Sequence, residues 1–193
     1  MAPNLFFDPR TLGSCGKNVI IGRTVRIRHP ELVRIADNCI IDDFTYVSTA
    51  LELSEYVHIA AGCKLIGGPK CVVSIDSFST LAPNVVLSAG TDDYHSGIAT
   101  PLVPDKYKGN AEYGSIVIGR HCIVGSSTVV LPSVRLADGV SIGALSLVKK
   151  NLKAWTIYAG IPARALGPRD KHGILAAEKA FLNERVAARR SSA

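Results

Sequence analysis

The stretch of residues 118–148, IGRHCIVGSSTVVLPSVRLADGVSIGALSLV, carries a branched aliphatic residue at every sixth position. The members of this series are Ile118, Val124, Val130, Leu136, Ile142 and Val148. An α-helix repeats its apolar face every 3.6 residues and a strand every two residues, so neither explains a period of six. Six residues per side and three sides per turn are typical of a triangular parallel β-solenoid, whose turns stack aliphatic side chains above one another.

The same period covers the chain upstream of this stretch. It runs through Ile35, Ile41, Val47, Leu53, Ile59 and Leu65, and resumes after a phase shift with Ile75, Leu81 and Leu87. Small or turn-forming residues such as Ala36 and Gly119 follow the aliphatic positions, which predicts a corner there. Three positions further on, small or β-branched residues such as Cys39 and Cys122 are predicted to fill the narrow interior.

Length and composition indicate one well-cored domain. The chain has 193 residues, of which 47% are hydrophobic and 6% aromatic, which suits a thin core of aliphatic and small side chains. We divide it into a lead-in over residues 1–18, a β-helix over residues 19–167, and a C-terminal helix and tail over residues 168–193. An excursion loop at residues 91–115 breaks the period, and long loops on rigid scaffolds often carry function.

The charge and hydropathy of the sequence indicate which classes of molecule the protein binds. The net charge is +6, and the basic residues gather at residues 23–34 and 149–190. A nucleic-acid site would group basic and aromatic residues on one face, so the second cluster instead favours an anionic small molecule with several phosphates. The sequence has no apolar run of about 18 residues and so predicts no membrane span. Residues 1–10 lack the pattern of a secretion signal, which favours a cytoplasmic location.

Several segments resemble the hexapeptide-repeat acyltransferases. Residues 142–150, IGALSLVKK, are similar to the last coils of that family, and residues 158–164, YAGIPAR, to its end-of-helix motif. Residues 81–83, LAP, and 112–114, EYG, are similar to its sugar O-acetyltransferase branch. The resemblance implies an all-β fold, the left-handed parallel β-helix, with one loop and a C-terminal α-helix. The handedness comes from the resemblance, not from the period.

Finer motifs resemble acetyltransferases of O-antigen and capsule gene clusters. They are residues 41–44 (IDDF), 57–60 (VHIA), 92–94 (DDY) and 155–160 (WTIYAG). Members of this group acetylate the amine of nucleotide-linked 4-amino-4,6-dideoxyhexoses such as perosamine or viosamine. The resemblance implies acetyl-CoA as co-substrate, a nucleotide-sugar acceptor, a homotrimer with active sites between subunits, and no metal. O-acetylation of a sugar hydroxyl and a catalytically silent scaffold stay open as alternatives.

The resemblance also points to residues that bind acetyl-CoA. A pantetheine arm would lie against the backbone at three small residues, Gly125, Ser126 and Ala144. Small residues at corners explain this set equally well. The end of the coil has no structural need for charge, so we expect its basic residues to bind the adenosine phosphates. These residues are Lys149, Lys150 and Arg164.

Acyl transfer needs a free lone pair on the accepting nitrogen or oxygen, and histidine is the commonest general base. We expect His58, one position before an inward aliphatic, to face the acceptor between subunits. The alternative is His95 in the loop, where sugar O-acetyltransferases of this fold carry their base. Counting from residues 81–83 places Asp92 where that histidine stands, so Asp92 and Asp93 are expected to work with His58.

The loop also supplies the predicted acceptor-binding residues, which are Tyr94, Lys106, Lys108 and Glu112. The two lysines would meet the diphosphate of a nucleotide sugar. Ala60 stands where galactoside-type enzymes carry an asparagine, which argues against a simple glycoside acceptor. His121 occupies a variable repeat position and is expected at the surface.

Overall fold

The structure, a computed structural model, describes residues 8–100 and 102–191. Its strands are β1 (Ser14–Cys15), β2 (Ile20–Ile21), β3 (Arg26–Ile27), β4 (Val33–Ile35), β5 (Ile40–Ile41), β6 (Tyr46–Val47), β7 (Ala50–Leu53), β8 (His58–Ile59), β9 (Lys64–Ile66), β10 (Val72–Ile75), β11 (Thr80–Leu81), β12 (Val86–Ser88), β13 (Gly90–Thr91), β14 (Glu112–Tyr113), β15 (Ile116–Ile118), β16 (Ile123–Val124), β17 (Val129–Val130), β18 (Arg135–Leu136), β19 (Ser141–Ile142), β20 (Leu147–Val148), β21 (Thr156–Ala159) and β22 (Arg164–Pro168). The helices are three short 3-10 segments, Pro9–Thr11, Pro30–Leu32 and Asp105–Tyr107, and one α-helix, α1 (Lys171–Ser191).

Three sheets form the sides of a triangular coil. Face A is β1-β4-β7-β10-β15-β18, and face C is β3-β6-β9-β12-β17-β20. Face B is β2-β5-β8-β11-β16-β19-β21, closed by the antiparallel strand β22. Strands one turn apart pair in parallel and in register, so about seven turns stack. The β-solenoid predicted from the six-residue period is confirmed, and its first strand lies inside the segment assigned to the lead-in.

The core consists of the aliphatic series together with the small interior residues. Ile41, Ile59 and Leu81 are in register on face B and are fully buried. Burying a side chain of this size contributes about 1.5–3 kcal/mol. Desolvation raises the pKa of the Cys63 and Cys122 thiols to about 11. Both thiols therefore stay protonated at neutral pH and act as small core residues, as the repeat pattern predicts.

Each corner between faces A and B contains a residue with positive φ, two positions beyond the small residue named by the repeat pattern. Asn38, Tyr56, Phe78 and His121 occupy this position with φ between 58° and 61°. The conformation costs a non-glycine residue about 1–2 kcal/mol. Hydrogen bonds between turns offset the cost, as when the N–H of Tyr56 donates to the carbonyl of Asp37. The repeat pattern predicts the corner but not the residue that makes the turn.

Side chains at this edge stack into a column that α1 covers. The ring centroids of Tyr56 and Phe78 lie 4.8 Å apart, and those of Phe78 and His121 lie 5.3 Å apart. Phe181 of α1 packs edge-on against Tyr56 and Phe78. His121 is consequently only 7% exposed, and the expectation that it lies at the surface is wrong. The repeat pattern does not reveal that a helix covers this edge.

A carboxylate attaches α1 to the same edge. Glu178 accepts a hydrogen bond from Nε2 of His121 at 2.7 Å and another from the Arg120 guanidinium. The bond from Arg120 is the main reason why the pKa of Glu178 lies below its ordinary value. Oδ1 of Asp170 accepts from the N–H of Gly173 at 2.9 Å and caps the start of the helix. The C-terminal helix predicted from its apolar spacing is confirmed.

Candidate active site

His58 stands on the outward side of β8 in face B. In register it lies between Ile40 on β5 and Thr80 on β11. Its Nε2 is 2.9 Å from Oδ2 of Asp42, at the corner that follows β5, and its Nδ1 is 3.4 Å from Oγ1 of Thr80. The His58 side chain is 44% exposed, so part of the ring is open to a ligand.

These two contacts determine the role of each ring nitrogen. An ionised carboxylate only accepts hydrogen bonds, so Nε2 of His58 carries the proton that is donated to Asp42. In the neutral imidazole, Nδ1 then keeps its lone pair. At 3.4 Å the Thr80 hydroxyl is a weak donor to Nδ1, and a substrate N–H or O–H can replace it. A histidine oriented by a carboxylate, with its other nitrogen free, has the arrangement of a general base.

The excursion loop leaves the coil after β12 and rejoins it at β15, on the edge between faces C and A. Its acid Asp93 accepts hydrogen bonds from the Ser96 hydroxyl at 2.6 Å and from the N–H groups of Asn110 and His95 at 2.8 Å each. These bonds, the one from Ser96 first, hold the pKa of Asp93 well below its ordinary value. Asp93 therefore caps the loop, and its part in catalysis stays a prediction.

The other loop candidates lie apart from His58. Asp92 and His95 are exposed, and Tyr94 is 95% exposed. Face B lies opposite the edge that bears the loop, and within the described part of the chain the hydrogen-bond partners of the His58 ring are Asp42 and Thr80. A single chain thus does not bring His58 and Asp92 together.

Some of the loop residues predicted to bind the acceptor already contact other side chains of the loop. The Nζ of Lys108 donates to Asp105 at 2.7 Å. The Nζ of Lys106 lies 4.8 Å from the ring centroid of Tyr107. Glu112 is exposed on β14, which pairs with β13 at the base of the loop. The Lys108 ammonium therefore forms an ion pair within the loop, whereas Lys106 and Glu112 face solvent.

The corner between faces B and C carries small residues on several turns, among them Ala60 beside His58, Gly125 and Ala144. A Cβ at Gly125 would lie 2.5 Å from the backbone nitrogen of Ala144, so consecutive turns approach closely here. The N–H of Leu145 donates to the carbonyl of Ser126 at 2.9 Å and links the same turns. The predicted pantetheine residues thus lie on adjacent turns of this corner, with the exposed side chain of Leu145 beside them.

The predicted phosphate-binding residues gather at the C-terminal end of the coil. Lys149 and Lys150 follow β20, Arg164 lies on β22, and all three side chains are exposed. Nη1 of Arg164 donates to the carbonyl of Ala163 at 3.3 Å. None of the three forms an ion pair with a carboxylate of residues 8–100 or 102–191. Their charges are available to an anion.

The described residues form neither a metal-binding cluster nor a membrane-spanning helix. Within residues 8–100 and 102–191, no group of three or more His, Cys, Asp and Glu side chains is arranged to hold a metal ion. In the same part of the chain, no helix combines the length and the apolar character needed to cross a bilayer.

The comparisons with known proteins assign the family. The sequence matches no family model. It is 35% identical over 163 residues to dTDP-4-amino-4,6-dideoxy-D-glucose acyltransferase of Escherichia coli, and the match covers 82% of this chain and 83% of that protein. The chain belongs to the hexapeptide-repeat acyltransferases.

Two further members of the acyltransferase family are informative. AntD, an N-acyltransferase from Bacillus cereus solved in complex with dTDP and 3-hydroxybutyryl-CoA, superposes with a TM-score of 0.88 at 32% identity, over 95% of this chain and 99% of that one. The putative lipopolysaccharide biosynthesis O-acetyl transferase WbbJ of Escherichia coli K12 is 26% identical over 121 residues, 63% of this chain and 59% of that protein. The chain is thus an acyltransferase with a coenzyme A thioester as co-substrate.

Sequence reasoning named His58 for this acyltransferase but missed the residues that orient it. The turn before His58 takes 18 residues, counted from its register partner Ile40, and the turn after it takes 22, counted to its register partner Thr80. Asp42 lies 16 residues before His58, and Thr80 lies 22 residues after it. No single period links His58 to both residues, because the two turns differ in length.

Proposed function

We propose that the protein is an acetyl-CoA-dependent N-acetyltransferase that acts on a nucleotide-linked amino-deoxy sugar, such as a 4-amino-4,6-dideoxyhexose, in O-antigen or other surface-polysaccharide synthesis. One observation carries the proposal: a variant of AntD in complex with dTDP-4-amino-4,6-dideoxyglucose and coenzyme A matches 94% of this chain with a TM-score of 0.87. The relative from Escherichia coli is named for the same nucleotide sugar.

His58 supplies the chemistry of this proposal. The neutral amine of the sugar attacks the thioester carbonyl, a C–N bond forms, the C–S bond breaks, and the coenzyme A thiolate leaves. The Nδ1 of His58 accepts the proton that the nitrogen loses and returns it to the thiolate. Asp42, 2.9 Å from Nε2, keeps the ring in the required tautomer and stabilises the imidazolium that forms.

The donor lies along the corner between faces B and C. Lys149, Lys150 and Arg164 bind its phosphates, and the pantetheine arm passes Ala144 and Gly125. His58, Thr80, Ile123 and Ser141 are successive register partners on face B. Three strand spacings separate the first from the last, about 14 Å. An extended pantetheine arm has the reach to bring the acetyl group to His58.

A homotrimer completes the site. The loop and His58 lie on opposite sides of one chain, so the loop with Asp92 and Tyr94 reaches a His58 only if that histidine belongs to a neighbouring copy. A threefold arrangement with face B of one subunit against face C of the next provides this. Light scattering at micromolar concentration tests it, and a monomer with full activity contradicts it.

The alternative within the same chemistry is O-acetylation of a sugar hydroxyl, supported by the similarity to WbbJ. A hydroxyl depends on the base more strongly than an amine, because its proton must leave during the attack. Incubation with acetyl-CoA and a panel of amino-sugar and hydroxy-sugar nucleotides, followed by detection of free thiol, tests the proposal. Thiol release with the hydroxy sugars alone would overturn it, and release with neither would favour a silent scaffold.

A further inference from the structure

The basic cluster near the N-terminus has no role in the function proposed so far. The structure distributes its arginines over different sides of the coil. Arg26 lies on the outward side of β3 in face C, where its register partner is Tyr46, whose partner in turn is Lys64. We name Arg26, Tyr46 and Lys64 the face C strip.

The face C strip is cationic and unneutralised. No carboxylate occurs among the outward residues of face C, which continue below Lys64 as Val86, Val129 and Leu147. Within residues 8–100 and 102–191, the Arg26 guanidinium has no hydrogen-bonding or ion-pairing partner. The Nζ of Lys64 donates to the carbonyl of Gly62 at 3.1 Å and keeps two further N–H groups to donate.

The spacing and the side-chain types of the face C strip suit the binding of a nucleotide. Arg26 and Lys64 stand two strand spacings apart, about 10 Å, with Tyr46 between them. A guanidinium binds phosphate oxygens in a bidentate manner and an ammonium binds them as a point charge. The Tyr46 ring is partly exposed, and any nucleobase can stack on an aromatic face.

The position of the strip relative to His58 matches an acceptor and not the donor. Lys64 and His58 belong to the same turn, so in the proposed threefold trimer Lys64 of one subunit stands at the level of His58 of its neighbour. The cations assigned to acetyl-CoA, Lys150 and Arg164, lie at the other end of the coil. Of the two loop lysines expected to meet the diphosphate, Lys108 is already bonded to Asp105, and the Nζ of Lys106 lies over the Tyr107 ring. Arg26 and Lys64 on face C therefore offer an acceptor diphosphate two cations without a carboxylate partner among the described residues.

We infer that the face C strip is the nucleotide subsite of the acceptor: Arg26 and Lys64 bind the diphosphate, and the base stacks on Tyr46. The inference rests on the proposed function, because it takes the acceptor to be a nucleoside diphosphate sugar. It replaces the loop pair, Lys106 and Lys108, as the principal diphosphate ligands. In the trimer, the strip of one subunit faces the groove that contains His58 of its neighbour.

Binding of dTDP to the full-length protein, measured by calorimetry without any sugar or acetyl-CoA, tests the inference. Arg26→Ala and Lys64→Ala should each raise the Kd by about tenfold or more, the loss expected for a hydrogen bond to a charged group. Tyr46→Leu should raise it severalfold. Arg34→Ala is the matched control, since this arginine of the same cluster lies on face A beside its register partner Glu52. Thermal melting confirms that each variant folds.

The outcomes separate the inference from the function on which it rests. Unchanged dTDP affinity in Arg26→Ala and Lys64→Ala overturns the inference, even if the wild type acetylates an amino sugar. No measurable binding of dTDP to the wild type also overturns it. Loss of dTDP affinity in the strip variants, with Arg34→Ala unaffected, supports it. In that case a wild type that acetylates no amino sugar would contradict the proposed function and leave the nucleotide subsite standing.

Discussion

The Nε2 of His58 lies 2.9 Å from Oδ2 of Asp42, although 16 residues separate the two in the chain. One turn of the coil brings them together at the corner between faces B and C. The carboxylate orients the ring and leaves Nδ1 with its lone pair, so the pair has the geometry of a general base with its orienting group.

Replacing His58 therefore tests the base. We expect His58→Ala to lower kcat by about two orders of magnitude or more, the usual cost of losing a general base. Asp42→Asn should lower kcat less and leave the KM for acetyl-CoA unchanged, because it disturbs only the tautomer and orientation. His95→Ala is the control within the loop and should have a milder effect. A larger loss in His95→Ala than in His58→Ala would move the base into the loop and favour O-acetylation.

Asp93 should act through the loop that it caps. We expect Asp93→Ala to make the loop more sensitive to trypsin at Lys106 and Lys108 and to raise the KM for the sugar more than it lowers kcat. The pKa of Asp93 is depressed, so its contribution is present above the unfolded pKa and is lost only as the pH falls through the folded pKa. Protection of the wild-type loop, measured as its rate of cleavage relative to that of an unfolded peptide at the same pH, should consequently be equal at pH 8 and at pH 6. A kcat defect with normal proteolysis would instead place Asp93 in catalysis.

The donor site is tested at the far end of the coil. We expect the double variant Lys150→Ala, Arg164→Ala to raise the KM for acetyl-CoA by about tenfold or more, because two phosphate contacts are lost. The KM for the nucleotide sugar should stay nearly unchanged. Lys179→Ala is the control, since this exposed lysine lies on α1 away from the corner. An unaltered KM for acetyl-CoA in the double variant would show that its phosphates bind elsewhere.

The attachment of α1 depends on Glu178, whose side chain is 12% exposed and bonded to Arg120 and His121. We expect Glu178→Gln to lower the free energy of unfolding by about 1–3 kcal/mol, because it weakens the hydrogen bond to the charged Arg120 guanidinium. The lowered pKa of Glu178 means that its contribution is complete above the unfolded pKa and disappears as the pH falls through the folded value. The difference in melting temperature between wild type and variant should therefore shrink at acid pH. An equal difference at pH 7 and pH 3 would contradict this account.

The repeat made the coil, its inward residues and the excursion loop predictable, because stacked turns impose one period on the sequence. It did not reveal the burial of His121, which depends on α1 folding back over Phe78 and is a contact between distant segments. The bonded side chains beside His58 lie 16 residues before it and 22 residues after it, and neither spacing is a multiple of six. Similarly, the ion pair between Lys108 and Asp105 depends on the local course of the loop, where no repeat applies.

The choice between nitrogen and oxygen as the acceptor atom is the central claim, and a matched pair of substrates tests it most directly. The rate of coenzyme A release is measured with dTDP-4-amino-4,6-dideoxyglucose and with its analogue that carries a hydroxyl in place of the amine, at saturating acetyl-CoA. The account predicts turnover of the amino sugar, loss of that turnover in His58→Ala, and no turnover of the hydroxyl analogue above hydrolysis of the thioester. Turnover of the hydroxyl analogue at an equal or greater rate would contradict it.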